Sequence, residues 1–150
     1  MTPAPQHVLV VDDDPDDREL TISCLTANLP AGITVEVARD GVEALDYVYR
    51  RGAFKTRDTL DPNVILLDLK MPRIDGHEVL RAVKGDPSVR HIPVVAFTSS
   101  EAERDIRQCY ESGANGFMVK HIRPDDFRQV IHDFAAFWCL QNRSIVKSSN

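Results

Sequence analysis

The stretch HVLVVDDDPDD, residues 7–17, joins a run of β-branched and aliphatic side chains directly to five carboxylates. The apolar half is typical of a strand that is covered on both faces. An EF-hand calcium loop starting at Asp12 would need Gly and Glu at its sixth and twelfth positions, where Asp17 and Ser23 stand. The acids therefore indicate either a solvated helix start or a site that holds a hard cation.

Four more short apolar runs follow along the chain, and stretches with helical spacing separate them. After the first run at residues 7–11, the others cover residues 33–38, 64–67, 93–97 and 116–119. Apolar residues between the runs recur at intervals typical of helices. Five such strand–helix units predict an α/β fold, with a doubly wound five-stranded parallel sheet and five helices. We expect the flavodoxin-like strand order 2-1-3-4-5.

The length and charge of the chain limit its possible functions. A chain of 150 residues has the size of one domain, and we expect a single domain over residues 1–150. Its core should cover about 7–140, followed by a polar tail over 141–150. The net charge of −5 and the absence of a basic stripe argue against direct binding to nucleic acid. No apolar run is long enough to span a membrane, and we expect no secretory signal because residues 1–6 lack its charged and apolar regions.

Neither the cysteines nor the histidines form a recognisable site in the sequence. Cys24, Cys109 and Cys139 are odd in number and far apart, which is typical of reduced core residues rather than of disulfides or a zinc site. The five histidines lack metal-ligand spacing and are expected mainly at the surface. We therefore expect a reducing compartment, the cytoplasm.

Polar side chains follow four of the predicted strands. Asp12 and Asp13 come after the first strand, Asp68 after the third, Thr98 ends the fourth, and Lys120 follows the fifth. Ligands of open α/β sheets bind at the carboxyl ends of the strands, so these groups should converge. Crowded carboxylates need a cation, and acidic oxygen clusters suit Mg²⁺. A lysine ammonium and a threonine hydroxyl can hold phosphoryl oxygens, which makes Asp68 a candidate nucleophile.

The other acids of the first stretch have a structural explanation. Asp14 before Pro15 is typical of a helix N-cap and the first helical residue. Asp16 and Asp17 then lie in the first turn, where the helix dipole favours negative charge. Taken singly, the acids of the predicted site also fit solvated loops or turns, and only their joint occurrence at matching strand ends favours a site.

The ordered motifs VVDDDP, ILLDLKMPRIDG, PVVAFTSSEAE and GANGFMVK resemble the receiver domain of the two-component response-regulator family, from about residue 7 to 137. The resemblance implies that Asp68 accepts a phosphoryl group and that Thr98 and Lys120 hold it. It also implies that Phe117 is the aromatic switch residue, which changes rotamer as the threonine moves toward the phosphoryl group.

The same resemblance implies a Mg²⁺ site. Asp13 and Asp68 correspond to the direct carboxylate ligands, and the backbone carbonyl of Lys70 corresponds to the third protein ligand. Asp12 corresponds to the acid that reaches the metal through a water molecule.

The chain departs from the family pattern beside Lys120. His121 stands where the family usually has a proline that is often joined by a cis bond. A non-proline cis bond costs about 2.5 to 4 kcal/mol, so we predict a trans bond and a reshaped loop. Phe117 in place of the more frequent tyrosine removes a hydroxyl, so any switching must rely on packing.

The last predicted helix is more apolar than its own core requires. One stripe consists of Phe127, Val130, Ile131, Phe134 and Trp138, with Phe137 and Leu140 off that stripe. A helix with more than one apolar face usually covers a partner. We expect a homodimer through the fourth and fifth helices, with an interface formed by Phe134, Phe137, Trp138 and Leu140. The alternative is that these aromatic side chains fold back on their own domain.

The function implied is that of a single-domain response regulator without other enzymatic activity. It would take its phosphoryl group from a sensor histidine kinase and signal through a changed surface of helix 4, strand 5 and helix 5. The Lys-His pair and the FAAFW end resemble stand-alone regulators that partner bacterial phytochrome kinases. Two alternatives stay open: an aspartate-nucleophile phosphatase, which needs a second acid where Lys70 stands, and a constitutive interaction module.

Overall fold

The computed structural model describes residues 6–28, 33–58 and 60–145. Five strands, β1 to β5, cover Gln6–Val11, Ile33–Ala38, Val64–Leu67, Val94–Thr98 and Gly116–Val119. All pair in parallel, in the order β2-β1-β3-β4-β5. The predicted fold class and strand order are confirmed. Both ends of the predicted domain lie outside the described residues. They are residues 1–5 at the start and residues 146–150 of the polar tail.

Five α-helices alternate with these strands. Helices α1 to α5 cover Pro15–Asn28, Gly41–Tyr49, Gly76–Lys84, Glu103–Glu111 and Pro124–Phe134. A short 3-10 helix, Gly52–Phe54, lies in the irregular segment between α2 and β3. Within the part of the chain that the structure covers, no helix is both long enough and apolar enough to cross a membrane.

The central strands bury both of their faces, which explains their uninterrupted apolar sequences. Leu9 and Leu67 belong to a core cluster that also contains side chains of α2, α3 and α4. Val10 and Leu66 belong to a second cluster with side chains of α1 and α5. Burying one such side chain contributes about 1.5 to 3 kcal/mol, so the two clusters hold the helices on both faces of the sheet.

Aspartates cap three helices at the carboxyl edge of the sheet. Asp14 Oδ1 accepts from the backbone N–H of Asp16 at 2.9 Å, before Pro15 begins α1, as the sequence predicts. In the same way Asp40 and Asp75 cap α2 and α3. The site described below lies among these helix starts.

The end of the chain differs from its predicted form. Helix α5 stops at Phe134, and residues Ala135–Gln141 form a π-helix. The N–H of Asn142 donates to the carbonyl of Phe137 at 2.7 Å, five residues earlier. The α-helix therefore ends earlier than the sequence predicts, although Trp138, the last residue of the predicted core stripe, still packs against the core.

The cysteines and histidines only partly follow expectation. Cys24, Cys109 and Cys139 are all buried, as predicted for core residues. The expectation of surface histidines is wrong for His7 and His77, which are both buried. His7 has a polar partner that the sequence does not reveal, because its Nε2 lies 2.9 Å from the hydroxyl oxygen of a tyrosine in α2. Burial lowers the pKa of His7 to about 4.

Candidate functional site

The register of the central strands brings Asp12 and Asp68 together. Val11 of β1 pairs with Leu67 of β3, and each aspartate is the next residue along its strand. The N–H of Asp68 donates to the carbonyl of Val11 at 2.9 Å, which continues the ladder by one bond. Both aspartates are buried. The carboxyl edge of the sheet therefore holds two acids side by side.

Thr98 and Lys120 reach the same edge from the next two strands. Thr98 ends β4 and pairs with Val119, the last residue of β5. The N–H of Lys120 donates to the carbonyl of Thr98 at 2.8 Å. Over all described residues the peptide bonds are trans, so the predicted trans bond between Lys120 and His121 is confirmed. The sheet thus brings together the polar residues that the sequence places at its strand ends.

The ammonium of Lys120 lies among three carboxylates. Its Nζ is 2.6 Å from Asp12 Oδ2, 3.1 Å from Asp17 Oδ2 and 3.6 Å from Asp68 Oδ2. Burial acts to lower the pKa of Lys120, but the carboxylates outweigh burial and the pKa ends above its ordinary value. The group therefore supplies a fixed positive charge at neutral pH.

The buried acids carry more negative charge than Lys120 can balance. Burial raises the pKa of the Asp68 carboxyl to about 7, Lys120 opposes this change, and Asp12 and Asp13 add to it. Burial also raises the pKa of Asp12. One oxygen from each of Asp12, Asp13 and Asp68 lies within 4.8 Å of the other two. This donor set fits a hard divalent cation, which would favour the charged form of all three acids.

A cleft of about 460 Å³ opens beside the acids, and Asp13 and Lys70 contribute to its lining. Asp13 is exposed, unlike Asp12 and Asp68, so its carboxylate is accessible from the cleft. The backbone N–H of Lys70 lies 3.4 Å from Asp68 Oδ1, which places this part of the main chain beside the buried acid. The role of the Lys70 carbonyl as a metal ligand stays a prediction.

Helix α3 begins in direct contact with the backbone of Asp68. The N–H of Gly76 donates to the carbonyl of Leu69 at 2.9 Å. A Cβ atom at Gly76 would lie 2.2 Å from the carbonyl oxygen of Asp68 and 2.6 Å from Leu69 Cα. No side chain larger than hydrogen fits without a backbone shift, so glycine fixes how closely α3 approaches the acid.

The loop between β3 and α3 is tied to the start of α2. Arg73 has a φ of 64°, and its guanidinium forms an ion pair with the carboxylate of Asp40. A Cβ atom at Gly41 would lie 2.3 Å from the carbonyl oxygen of Ile74. The loop that contains Lys70 is therefore supported by a neighbouring helix.

Phe117 lies in β5, where it pairs with Ala96 of β4. It is partly buried and packs against the core cluster on the face of α2, α3 and α4. It has no polar atom, so any movement of the ring must be driven by packing. Its role as a switch residue stays a prediction.

Sequence reasoning missed the second contact of Asp17. The sequence predicts only that Asp17 lies in the first turn of α1, whereas its carboxylate also reaches Lys120. Asp17 and Lys120 are 103 residues apart, and their meeting depends on how α1 lies beside the end of β5. No local pattern signals such a contact.

The apolar residues at the end of the chain do not all face outward. Phe134 is 2% exposed and belongs to the protein's own core, so its predicted place in an interface is corrected. Trp138 is partly buried against the same cluster. Phe137 and Leu140 are 52% and 42% exposed, respectively. Two of the four predicted interface residues thus present a substantial apolar surface.

Residues 8–132 match the response regulator receiver domain family. The chain belongs to this family. The receiver is 32% identical over 135 residues to response regulator Rcp1 of Synechocystis sp., and the match covers 89% of each chain. The crystal structure of Mn²⁺-bound Rcp1 superposes with a TM-score of 0.86 at 29% identity, covering 94% of this receiver and 99% of that chain.

Two further solved structures come from phytochrome systems. The receiver is 47% identical to the bacteriophytochrome response regulator AtBRR, with a TM-score of 0.75 and coverage of 94% of this receiver and 100% of that chain. It is 32% identical to the phosphorylated cyanobacterial phytochrome response regulator RcpA, with a TM-score of 0.87 and coverage of 94% and 99%. The predicted likeness to phytochrome-associated regulators is confirmed.

The family assignment agrees with the chemistry of the site. Phosphorylation of an aspartate is the standard mechanism of receiver domains. The Mn²⁺-bound form of Rcp1 and the cluster of Asp12, Asp13 and Asp68 both indicate divalent metal binding.

Proposed function

We propose that this receiver accepts a phosphoryl group on Asp68 from a sensor histidine kinase, in a reaction that depends on Mg²⁺. The convergence of Asp68, Lys120 and two further acids at one sheet edge carries the proposal. Lys120 Nζ lies 3.6 Å from Asp68 Oδ2, and Asp12 and Asp13 each bring an oxygen within 4.8 Å of the Asp68 carboxylate. These distances support a role as nucleophile for Asp68, as fixed cation for Lys120 and as metal ligands for the acids.

In the proposed transfer, an oxygen of ionised Asp68 attacks phosphorus. A P–O bond forms, and the bond between phosphorus and the donor histidine nitrogen breaks, with its electron pair staying on the nitrogen. Lys120 balances charge on one phosphoryl oxygen, and the hydroxyl of Thr98 donates a hydrogen bond to another.

The same residues would hold the metal. Asp13, Asp68 and the carbonyl of Lys70 would bind Mg²⁺ directly, and Asp12 would bind it through water. When bound, Mg²⁺ neutralises charge on the acids and on the transferring oxygens.

The proposed output is a changed surface of α4, β5 and α5. Thr98 ends β4 and Phe117 lies in the neighbouring strand, so a movement of Thr98 can reach this surface through packing. The receiver would catalyse only its own phosphorylation and dephosphorylation. A phosphatase would need a second acid two residues after Asp68, where Lys70 stands.

The likeness to RcpA and AtBRR supports a bacteriophytochrome as the cognate kinase. We propose that the chain acts as one receiver domain in the cytoplasm. The net charge of −5 argues against direct binding of the chain to nucleic acid.

Beryllium fluoride, which forms an adduct with carboxylates that resembles a phosphoryl group, tests the proposal. We expect saturable, Mg²⁺-dependent binding of one equivalent by calorimetry, and no saturable binding in Asp68→Asn, because an amide cannot replace the carboxylate nucleophile. Asp16→Asn, which removes an exposed charge from the first turn of α1, is the control and should bind as the wild type does. Equal binding by Asp68→Asn, or none by the wild type, would contradict the proposal.

We further propose a homodimer in which Phe137 and Leu140 contact the second subunit. Both side chains are about half exposed although they are large and apolar, which is typical of a surface that a partner covers. Trp138 supports Phe137 from within, because their rings meet edge to face at 5.0 Å.

The expected result is that Phe137→Ser weakens dimerisation at least about tenfold, because an apolar anchor is lost from the interface. Sedimentation over a concentration series measures the effect. Ile122→Ser is the matched control, since Ile122 is fully exposed in the loop before α5. An unchanged dimer in Phe137→Ser, or a monomeric wild type, would refute the interface.

A further inference from the structure

Lys120 has one ion-pair partner that its proposed role does not require. That role needs the ammonium beside Asp68, and Asp12 is the buried neighbour of Asp68 on the adjacent strand. Asp17 belongs to a different element, the first turn of α1. It nevertheless approaches the ammonium more closely than Asp68 does.

The hydrogen bonds of the ammonium are directed away from the acceptor. Lys120 Nζ bonds to Asp12 at 2.6 Å and to Asp17 at 3.1 Å. Its 3.6 Å distance to Asp68 Oδ2 is too long for a hydrogen bond, although the two groups still attract each other. The ammonium has only three hydrogens, and two of them are engaged by other acids.

Asp12 and Asp17 differ in the free-energy cost of losing their hydrogen bond to the ammonium. The side chain of Asp12 is 3% exposed, so it would be left as a buried charge without a partner. The side chain of Asp17 is 38% exposed, so water can replace the ammonium at a small cost. The ammonium must move closer to Asp68 to bond a phosphoryl oxygen there, and Asp17 is therefore the partner that Lys120 gives up.

We infer that Asp17 is a positioning residue that holds Lys120 short of Asp68 and competes with the phosphoryl group for its ammonium. The inference rests on the proposed function, because it concerns the same phosphoryl site. Asp17 thereby lowers the affinity of the site for a phosphoryl group and leaves the nucleophile itself unchanged.

Beryllium fluoride titration at saturating Mg²⁺ tests this competition. Asp17→Ala is expected to bind about three- to fivefold more tightly than the wild type, the size expected for removing a competing, partly exposed ion pair. Asp16→Ala removes an equal charge from the same turn of α1 and should stay within about twofold of the wild type. The difference between the two variants excludes a general effect of lowering the negative charge near the metal.

The ammonium signal of Lys120 in nitrogen-15 NMR provides a second readout. In the free protein, this signal should differ between Asp17→Ala and the wild type, because one hydrogen-bond partner is missing. With beryllium fluoride bound, the two signals should coincide, because the ammonium has left Asp17 in both proteins. A role of Asp17 in helix stability alone would not produce this pattern.

The outcomes separate this inference from the proposed function. If the wild type binds beryllium fluoride through Asp68 but Asp17→Ala binds no more tightly than Asp16→Ala, only the competition is refuted. Bound-state signals that differ as much as the free-state signals would refute it too. If the wild type shows no binding, or binding persists in Asp68→Asn, the proposed function itself is wrong.

Discussion

Replacing Gly76 by Ala is expected to lower the free energy of unfolding by about 3 kcal/mol, at the upper end of typical overpacking costs. The new methyl group would lie 2.2 Å from the carbonyl oxygen of Asp68, and both elements are fixed by backbone hydrogen bonds. Relief requires α3 or the end of β3 to move, so the affinity for Mg²⁺ should also fall. Urea unfolding and Mg²⁺ titration of the variant measure the two effects.

Gly116→Ala is the matched control for this variant. A Cβ atom at Gly116 would meet side-chain atoms at 3.5 Å and beyond, which is ordinary contact, so a change within about 0.5 kcal/mol is expected. Without the clash, alanine at Gly76 would stabilise α3, because it favours helical conformation more than glycine does. A Gly76→Ala protein as stable as the wild type would therefore show that this close approach does not exist in solution.

Asp68→Asn is expected to remove a large pH dependence of stability. The Asp68 carboxyl titrates near 3.8 when unconstrained and at about 7 in the native protein, because burial disfavours its charge. Between these values the native state holds a proton that the unfolded state has lost, so the wild type loses stability as pH rises from about 4 to 7. Without metal, Asp68→Asn should gain about 2.5 kcal/mol relative to the wild type between pH 5 and pH 8.

Urea unfolding of both proteins in a chelator, over this pH range, measures that difference. Contributions from other groups, such as His7, are present in both proteins and largely cancel. Added Mg²⁺ should then stabilise the wild type at pH 8, by about 2.7 kcal/mol at a concentration 100 times the dissociation constant, and should stabilise Asp68→Asn much less. A stability difference that stays constant with pH would contradict the buried, proton-binding state of Asp68.

The sequence predicts the sheet and most of the acidic site. Both depend on where the strands lie, and local periodicity reveals the strands. Short apolar runs identify buried strands, and parallel strands align their carboxyl ends by necessity. The positions of Asp12, Asp68, Thr98 and Lys120 at those ends therefore followed from strand boundaries alone. The distances between their charged groups did not, because they depend on side-chain conformations.

The features that sequence reasoning missed depend on packing between distant elements. The contact of Asp17 with Lys120 requires α1 to lie beside the end of β5, which no local pattern encodes. The π-helix that begins at Ala135 breaks the assumed helical period after Phe134. The interface predicted for Phe134 itself is wrong because this side chain faces its own core. Apolar composition indicates that a side chain is covered, but it does not indicate whether the protein's own core or a partner covers it.

The ion pair between Arg73 and Asp40, with the close approach of Gly41 to Ile74, fixes the segment after Asp68 through contacts within the protein itself. A cation entering there would meet a preorganised receptor and would lose little affinity to ordering the main chain. Removing the Asp40 carboxylate would break this ion pair, and binding of the ion would then carry a larger entropic cost. Selection on metal affinity can therefore act on the second strand–helix unit of the chain, although the acids proposed to bind the metal belong to the first and third.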